Sequence, residues 1–250
     1  MPLPAGPLVF SRIIPQVVSG SFDNNVTNYI TIIQIVNTGG AASVISADFL
    51  AKDGTASTLS IQVLLAGVTT TFTGTMPPAS LPVNGILVLT ADAGTDAPGT
   101  TNWARIRSTA AVAVAAAFES RSVTTNALLG RLGLEASAAD MTEFVIPCAR
   151  NAAIGLDAGF AMVNTGSTTA RITATLYDAS GNVRGFQVVT LAPGNQKVQF
   201  ASDLFVASLL GQRDTNYFFL DFSSDTPSIA AVSLVHEGDI LASIPVVRLK

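Results

Sequence analysis

The feature that most constrains this chain is an internal repeat. The tetrapeptide Val36–Gly39 (VNTG) recurs as Val163–Gly166, at an offset of 163 − 36 = 127 residues. At the same offset Gly54 corresponds to Gly181. A repeat of this length indicates two similar domains rather than one. With 250 residues in all, each copy is long enough to bury a core of its own.

Nearly every segment has the residue pattern of a β-strand. Residues 31–36 are rich in β-branched side chains, and residues 171–177 alternate Thr, Arg and Tyr with Ile, Ala and Leu. This alternation is typical of a half-buried antiparallel strand. Only Ser202–Gly211 has a helical pattern, with Ser202 or Asp203 as the cap and Gly211 as the stop. The sequence predicts an all-β chain of two tandem antiparallel, immunoglobulin-like β-sandwich domains.

The repeat also predicts where the domains begin and end. We expect an extended apolar segment over residues 1–14, a first domain over 15–136 and a second over 141–250. Within the copies, residues 61–65 and 71–72 are interpreted as the counterparts of residues 186–191 and 198–200. The loop Ala91–Asn102 is the main elaboration of the first domain.

Charge is scarce, which excludes some partners. Charged residues make up 12% of the chain, against roughly 25% in an average soluble protein. Either neighbouring subunits cover much of the surface, or Ser and Thr hydroxyls replace the charges. With 13 basic and 17 acidic residues and no basic cluster, neither nucleic acid nor an anionic membrane surface is expected as a partner. The longest apolar stretch, residues 110–118, is too short to span a membrane, which takes ~20 residues.

The chain start and the single cysteine say little about the compartment. Met1–Pro7 has no basic region followed by an apolar run, so it does not resemble a signal peptide. Either the chain is cytosolic, or a leader has been removed or lies outside this numbering. Cys148 is the only cysteine, so no intrachain disulfide can form.

Several turn and core motifs carry a resemblance to a known class of repeat. They are VNTG, residues 176–183 (LYDASGNV), Thr190–Gly194 (TLAPG) and Trp103–Ile106. Together they resemble the tandem β-sandwich modules of large secreted bacterial proteins, most of them uncharacterised, over residues 27–119 and 141–249. The resemblance implies the fold and an extracellular or cell-surface location. It brings no catalytic or ligand-binding residues with it.

No catalytic constellation is evident. His236 is the only histidine, and its repeat partner is taken to be Phe118, which favours a packing role over general-base chemistry. Cys148 is interpreted as a small buried hydrophobe, and one His with one Cys cannot supply a zinc site. The acid pairs Asp92 with Asp96 and Asp221 with Asp225 are the nearest approach to a calcium site, although neither has an EF-hand pattern. We therefore predict a protein that is not an enzyme and has no catalytic, metal or cofactor residues.

The start of the chain carries the sharpest hypothesis. Its prolines exclude a helix, and its apolar side chains are costly to leave in water. The segment either pairs with its own domain or adds a strand to the next subunit, and the second alternative gives a head-to-tail polymer. The predicted subunit-contact residues are Leu3, Leu8, Val9, Phe10, Ile13 and Ile14. Separately, Asn25 begins the only Asn-X-Thr sequon and is a candidate glycosylation site.

These features favour a structural subunit of an extracellular filament or surface assembly, whose partner is a second copy of itself. The alternative is a monomeric cell-surface adhesin or carbohydrate-binding module that recognises glycans through the Ala91–Asn102 loop and Trp103. A hydrolytic enzyme is disfavoured because the single His corresponds to a Phe. A virus-like shell protein is compatible with the composition, but no residue selects it.

Overall fold

A computed structural model describes residues 7–22, 24–137, 139–211, 214–237 and 240–250. It confirms an all-β chain built from antiparallel pairs, with two compact units, Met1–Ala138 and Ala139–Lys250. The division falls inside the predicted linker between residues 136 and 141. No helix among the described residues is long and apolar enough to cross a membrane.

The described residues of unit 1 form ten strands. They are β1 (Phe10–Phe22), β2 (Thr27–Asn37), β3 (Ser43–Ala51), β4 (Ser60–Leu65), β5 (Val68–Thr73), β6 (Thr75–Leu81), β7 (Ile86–Ala91), β8 (Thr100–Ser108), β9 (Val112–Ser122) and β10 (Leu128–Glu135). One path of pairing runs β5-β4-β7-β2-β1-β8-β3-β6, while β9 pairs with β2 and β10. The core contains the fully buried side chains of Ile33, Ile45, Phe49 and Trp103.

Strand β1 joins two halves of unit 1 that the sequence predicts as separate sheets. Its first part pairs with β8 and its last three residues, from Gly20 onward, pair with β2. Gly20 has φ +92°, and a Cβ there would lie 2.7 Å from the backbone oxygen of Pro98. Only glycine fits this conformation beside so close a neighbour. The result is one continuous sheet of ten strands rather than two independent ones.

In unit 2 the residues that the structure describes form nine strands and two helical turns. They are β11 (Glu143–Arg150), β12 (Asp157–Asn164), β13 (Ala170–Asp178), β14 (Val183–Leu191), β15 (Gln196–Phe200), α1 (Ala201–Leu204), α2 (Ala207–Leu210), β16 (Asn216–Ser224), β17 (Ile229–Glu237), β18 (Ile240–Ile244) and β19 (Val247–Arg248). Two sheets form, in the orders β14-β13-β16-β11-β19 and β15-β12-β17-β18. Phe222 on the first sheet packs against Phe160 on the second, with ring centroids 5.2 Å apart, so the core lies between them.

The two units repeat one pairing pattern. β3 pairs with β6 and β8 as β13 pairs with β14 and β16, and β2 pairs with β7 and β9 as β12 pairs with β15 and β17. The counterpart of β14 is therefore β6. The interpretation of residues 61–65 and 71–72 as counterparts of residues 186–191 and 198–200 is wrong, because the hairpin β4–β5 is an insertion that only unit 1 carries.

The single predicted helix over Ser202–Gly211 is two short turns. The chain is extended at Phe205 and Val206, and Gly211 ends the second turn with φ +82°. The carboxylate of Asp203 accepts a hydrogen bond from the backbone N–H of Phe200 at 3.0 Å, which caps the first turn. Phe205 interrupts the helix because its side chain enters the core, where it is 2% exposed.

Candidate functional site

The repeated VNTG motif is structural. Asn164 is fully buried, and its side-chain N–H groups donate to the backbone oxygens of Thr168 (2.7 Å) and Leu191 (2.9 Å). Its side-chain oxygen accepts from the N–H of Gly166 (3.0 Å) and the hydroxyl of Ser228 (2.9 Å). One amide thus joins the end of β12 to its turn and to β14. It is fully used, so it offers nothing to a ligand.

Asn37 repeats these bonds in unit 1. It is also fully buried, and it donates to the backbone oxygens of Ala41 (2.9 Å) and Leu81 (3.1 Å) and accepts from the N–H of Gly39 (3.0 Å). Ala41 and Thr168 are 127 residues apart (168 − 41 = 127), so the bond preserves the offset of the repeat. The motif recurs because each unit needs the same buried connection.

The predicted subunit-contact set divides into two groups. Ile13 and Ile14 are fully buried on β1, which pairs with β8 of the same unit. They therefore belong to the core of unit 1. Their prediction as subunit-contact residues is corrected accordingly. Val9 is 64% exposed and Phe10 41% exposed, while Leu8 is partly buried. Leu3 lies outside the described residues.

An apolar groove lies between the two terminal strands of the unit 1 path. β5 and β6 end that path, and the groove between them has a volume of about 570 Å3. Its floor includes Val63 and Met76, which are buried, and its rim includes Val68, Phe72 and Pro78. The groove exists only because unit 1 carries the β4–β5 insertion. The sequence interpretation assigned these strands to the repeat, and it therefore did not predict the groove. The β5 sequence, VTTTFT, was the available indication that residues 68–73 form a separate strand.

A second exposed surface is aromatic and lies on the five-stranded sheet of unit 2. The rings of Tyr177 and Phe219 stack with centroids 4.7 Å apart and planes 5° from parallel. Tyr217 beside them is 68% exposed, and Pro147 lines the same shallow depression. The stacked pair is half-buried, and the exposed ring of Tyr217 offers a flat apolar face to a ligand.

Trp103 does not form part of any recognition surface. It is 1% exposed, and the guanidinium carbon of Arg105 lies 5.4 Å from its ring centroid. The proposed glycan contact through Trp103 is therefore wrong, because the indole belongs to the core. The predicted Ala91–Asn102 loop is also shorter than expected, since β8 begins at Thr100. Its end still borders a pocket of about 540 Å3, lined in part by Phe22.

His236 lies on β17, half-buried, with its ring centroid 6.2 Å from that of Phe200. Its counterpart in unit 1 is not Phe118. Asp157 on β12 lies opposite His236 on the neighbouring strand, and Ile30 on β2 lies opposite Glu119 in the same way. Asp157 and Ile30 are separated by the repeat offset (157 − 30 = 127). The counterpart of the histidine is therefore Glu119, one residue further along β9.

Glu119 is the buried centre of an ion cluster that the sequence interpretation missed. It is 3% exposed, its carboxylate accepts from Arg121 on the same strand at 2.8 Å, and Arg131 on β10 binds its other oxygen. Burial alone would raise the pKa of Glu119, but the hydrogen bonds from Arg131 and Arg121 outweigh it and hold the pKa below its usual range. The cluster ties β10 to β9, and both oxygens are engaged.

The remaining candidates are placed as follows. Cys148 is buried, and burial together with the nearby charge of Asp157 raises the pKa of its thiol. Asp92 accepts a hydrogen bond from the backbone N–H of Gly94 in its own loop, and Asp225 accepts one from the backbone N–H of Arg171 on β13. The described residues contain no group of three or more His, Cys, Asp or Glu side chains suited to a metal ion. Asn25 is exposed in the β1–β2 turn.

Comparisons with known proteins give no family. No family model and no curated protein matches this chain. Among solved structures, tomato (Solanum lycopersicum) vicilin matches with a TM-score of 0.21 and 7% identity, covering 83% of this chain and 77% of vicilin. A Bacteroides uniformis β-glucuronidase matches with a TM-score of 0.19 and 10% identity, covering 89% of this chain and 26% of the enzyme. Similarities this weak carry no argument about function.

Proposed function

We propose that this chain is a structural subunit that assembles with copies of itself by β-strand addition, as part of an extracellular filament or surface layer. Each unit then acts as a β-sandwich module whose open edges are the assembly sites. The observation that supports this proposal best is the apolar groove between β5 and β6. This groove combines a gap between the two terminal strands of the path with a buried apolar floor.

The physical reason is the cost of an open edge. An edge strand presents unpaired backbone N–H and C=O groups that another strand can bind. An extended segment laid along β5 would pair with these groups and place alternate side chains on Val63 and Met76. It would also bring the path of strands closer to a closed barrel, which has no edges.

The donor in this proposal is the apolar segment that ends at Phe10, taken from a neighbouring copy. Val9 and Phe10 are exposed where β1 begins, so the donor in this proposal ends where the pairing of β1 with β8 of its own unit starts. A contact between the start of one copy and unit 1 of the next does not close on itself. Such a contact produces a filament.

The test removes the donor without touching β1. Deletion of residues 1–9 is expected to leave a folded protein and to abolish filaments in negative-stain electron microscopy and fast-sedimenting species in ultracentrifugation. On the acceptor side, Val68→Glu places a charge in the groove and is expected to have the same effect. Thr69→Glu is the matched control, since Thr69 lies on the same strand but does not line the groove. Filaments that persist in both the deletion and Val68→Glu would refute the proposal.

A second candidate function is glycan binding by a monomer, which the aromatic surface of unit 2 favours. Tyr217→Ala should then abolish binding to any sugar that a glycan array identifies. The control is Tyr29→Phe, since Tyr29 packs against Phe22 in unit 1, with ring centroids 5.4 Å apart. An array without hits would remove this alternative.

A further inference from the structure

Strand β14 is an unprotected edge. It spans nine residues, Val183–Leu191, and among the described strands it pairs only with β13. Val183 (58%), Phe186 (68%) and Val188 (40%) are all strongly exposed. A long apolar edge of this kind is the surface that soluble proteins normally avoid, because a second strand can bind it.

Several other edge strands carry protective features that β14 lacks. Its counterpart β6 contains Pro77 and Pro78, which remove two backbone donors. β10 carries Arg131 and Glu135, and β15 is five residues long and carries Lys197. In β14 the only charged residue is Arg184, which lies at a bulge near the start of the strand, and the regular part from Gly185 to Leu191 contains neither charge nor proline. The same topological position is thus blocked in unit 1 and open in unit 2.

We infer that β14 pairs antiparallel with β14 of a second copy, about a two-fold axis at Gln187. This register places Phe186 opposite the partner's Val188, and the symmetry creates the same aromatic–aliphatic pair twice. Cross-strand pairs of an aromatic with a β-branched residue are among the favourable ones. Val188 and Phe186 already share the outer face of the sheet with Thr173 and Thr175, their neighbours on β13, so that face continues across the axis.

Charge disfavours one alternative register. Centring the axis at Gln187 places Arg184, at the bulge of β14, near the partner's Thr190, so the two guanidinium groups are kept apart. A shift of the axis to Arg184 would place like charges in contact, which is destabilising. Arg184 also lies near a carboxylate of its own unit, with Nη1 3.7 Å from Asp178 Oδ2. A second copy of the same strand is therefore an occupant that offers both the backbone groups and the side chains that this edge requires.

This contact extends the proposed self-assembly but uses described residues of unit 2 instead of the donor segment. The two contacts can be separated, because a two-fold contact closes as a dimer whereas the head-to-tail contact does not. A chain lacking residues 1–9 should therefore still form a dimer of defined mass.

Disulfide trapping tests the register in the full chain. Residues directly opposite each other in antiparallel strands have Cα atoms about 4.5–5.5 Å apart, within the range that a disulfide bridges. Gln187→Cys should therefore give a covalent dimer on a non-reducing gel under mild oxidation, in near-quantitative yield. Thr190→Cys is the control, because its opposite residue is the partner's Arg184. The native Cys148 is buried and does not compete.

A charge placed on the edge tests its energetic role. Phe186→Lys should raise the dimer Kd at least about tenfold, because each lysine would replace a ring packed against an apolar partner side chain. Thr69→Lys on β5, at a position that does not line the groove, is the matched control and should leave this dimer unchanged. Circular dichroism of each variant establishes folding, since Phe186 is exposed and its replacement leaves the core intact.

The outcomes are distinguishable. Filaments lost on deletion of residues 1–9, with dimers that persist and are trapped through Gln187→Cys, support both contacts. Self-association that Phe186→Lys leaves unchanged, or equal trapping by Gln187→Cys and Thr190→Cys, overturns the β14 contact while the proposed function stands. A full chain that remains monomeric at high concentration overturns both.

Discussion

The buried asparagine of the repeat motif should be among the most sensitive positions in unit 2. In Asn164→Ala, the backbone oxygen of Leu191 is left without its partner in a buried location, and Thr168 and Gly166 lose theirs in partly buried ones. A stranded buried polar group costs about 1–3 kcal/mol. We take a cost of about 2 kcal/mol for the Leu191 oxygen and about 1 kcal/mol each for the Thr168 oxygen and the Gly166 N–H. We therefore expect the free energy of unfolding to fall by about 4 kcal/mol.

The assay is urea unfolding followed by far-ultraviolet circular dichroism. At an m value of about 2 kcal/mol/M, the midpoint of the unit 2 transition should fall by about 2 M. Trp103 is the only tryptophan and lies in unit 1, so its fluorescence reports that unit separately. Asn37→Ala should shift the fluorescence transition by a similar amount. An exposed control, Asn182→Ala, should cost less than about 1 kcal/mol.

A loss below about 1 kcal/mol in both Asn37→Ala and Asn164→Ala would refute the reasoning, since this size is typical of exposed positions. Asn164→Asp adds a further check. It keeps an acceptor for the Gly166 N–H but replaces the donor by an oxygen that faces the Leu191 carbonyl. We therefore expect Asn164→Asp to be at least as destabilising as Asn164→Ala.

Three further predictions concern other positions. Gly20→Ala should destabilise unit 1 by about 2 kcal/mol or more in urea unfolding, because it combines a positive φ with a Cβ 2.7 Å from the oxygen of Pro98; an unchanged midpoint would contradict this. Because the pKa of Glu119 is lowered in the folded state, its contribution to stability is present above its unfolded pKa and is lost as the pH falls through the folded pKa. Glu119→Gln should therefore flatten the acid side of the stability profile, and a profile that stays parallel to wild type would count against the cluster. Cys148 should react with a thiol reagent only after denaturant is added, and rapid labelling of the native protein would contradict its burial.

The sequence predicted the all-β, antiparallel class because the signals for it are local. The period-two alternation of residues 171–177 and the turn glycines Gly54 and Gly181, both at φ +81°, report on the residues around them. The repeat offset is also preserved in contacts, as the bonds of Asn37 and Asn164 show. Features that depend only on neighbouring residues, or on a motif present twice, could be predicted in this way.

Features that depend on pairing between distant strands could not be predicted from the sequence. The β4–β5 hairpin resembles a repeat element in composition, and only its pairing with β7 shows that it is an insertion. Likewise β14 and β6 occupy equivalent edges, and the prolines of β6 mark its edge as blocked, but that the two strands are counterparts is visible only from the pairing pattern. The burial of Trp103, Ile13 and Ile14 follows from three-dimensional packing, so their assignment to contact surfaces was wrong.

Glu119 illustrates a signal that was present but not used. A carboxylate two residues before Arg121 on one strand shares a face with it, and an arginine on the next strand can complete the cluster. Charged residues are few in this chain, so a Glu and two Arg on adjacent predicted strands were an available indication of a buried ion pair.

The most direct test of assembly by strand addition is amide hydrogen exchange along β5, compared between dilute and concentrated protein. A donor strand would occupy the open side of residues 68–73, so the account predicts that these amides gain protection as particles form. It also predicts that the gain disappears when residues 1–9 are deleted. Particles that form while the exchange of β5 stays unchanged would contradict the account.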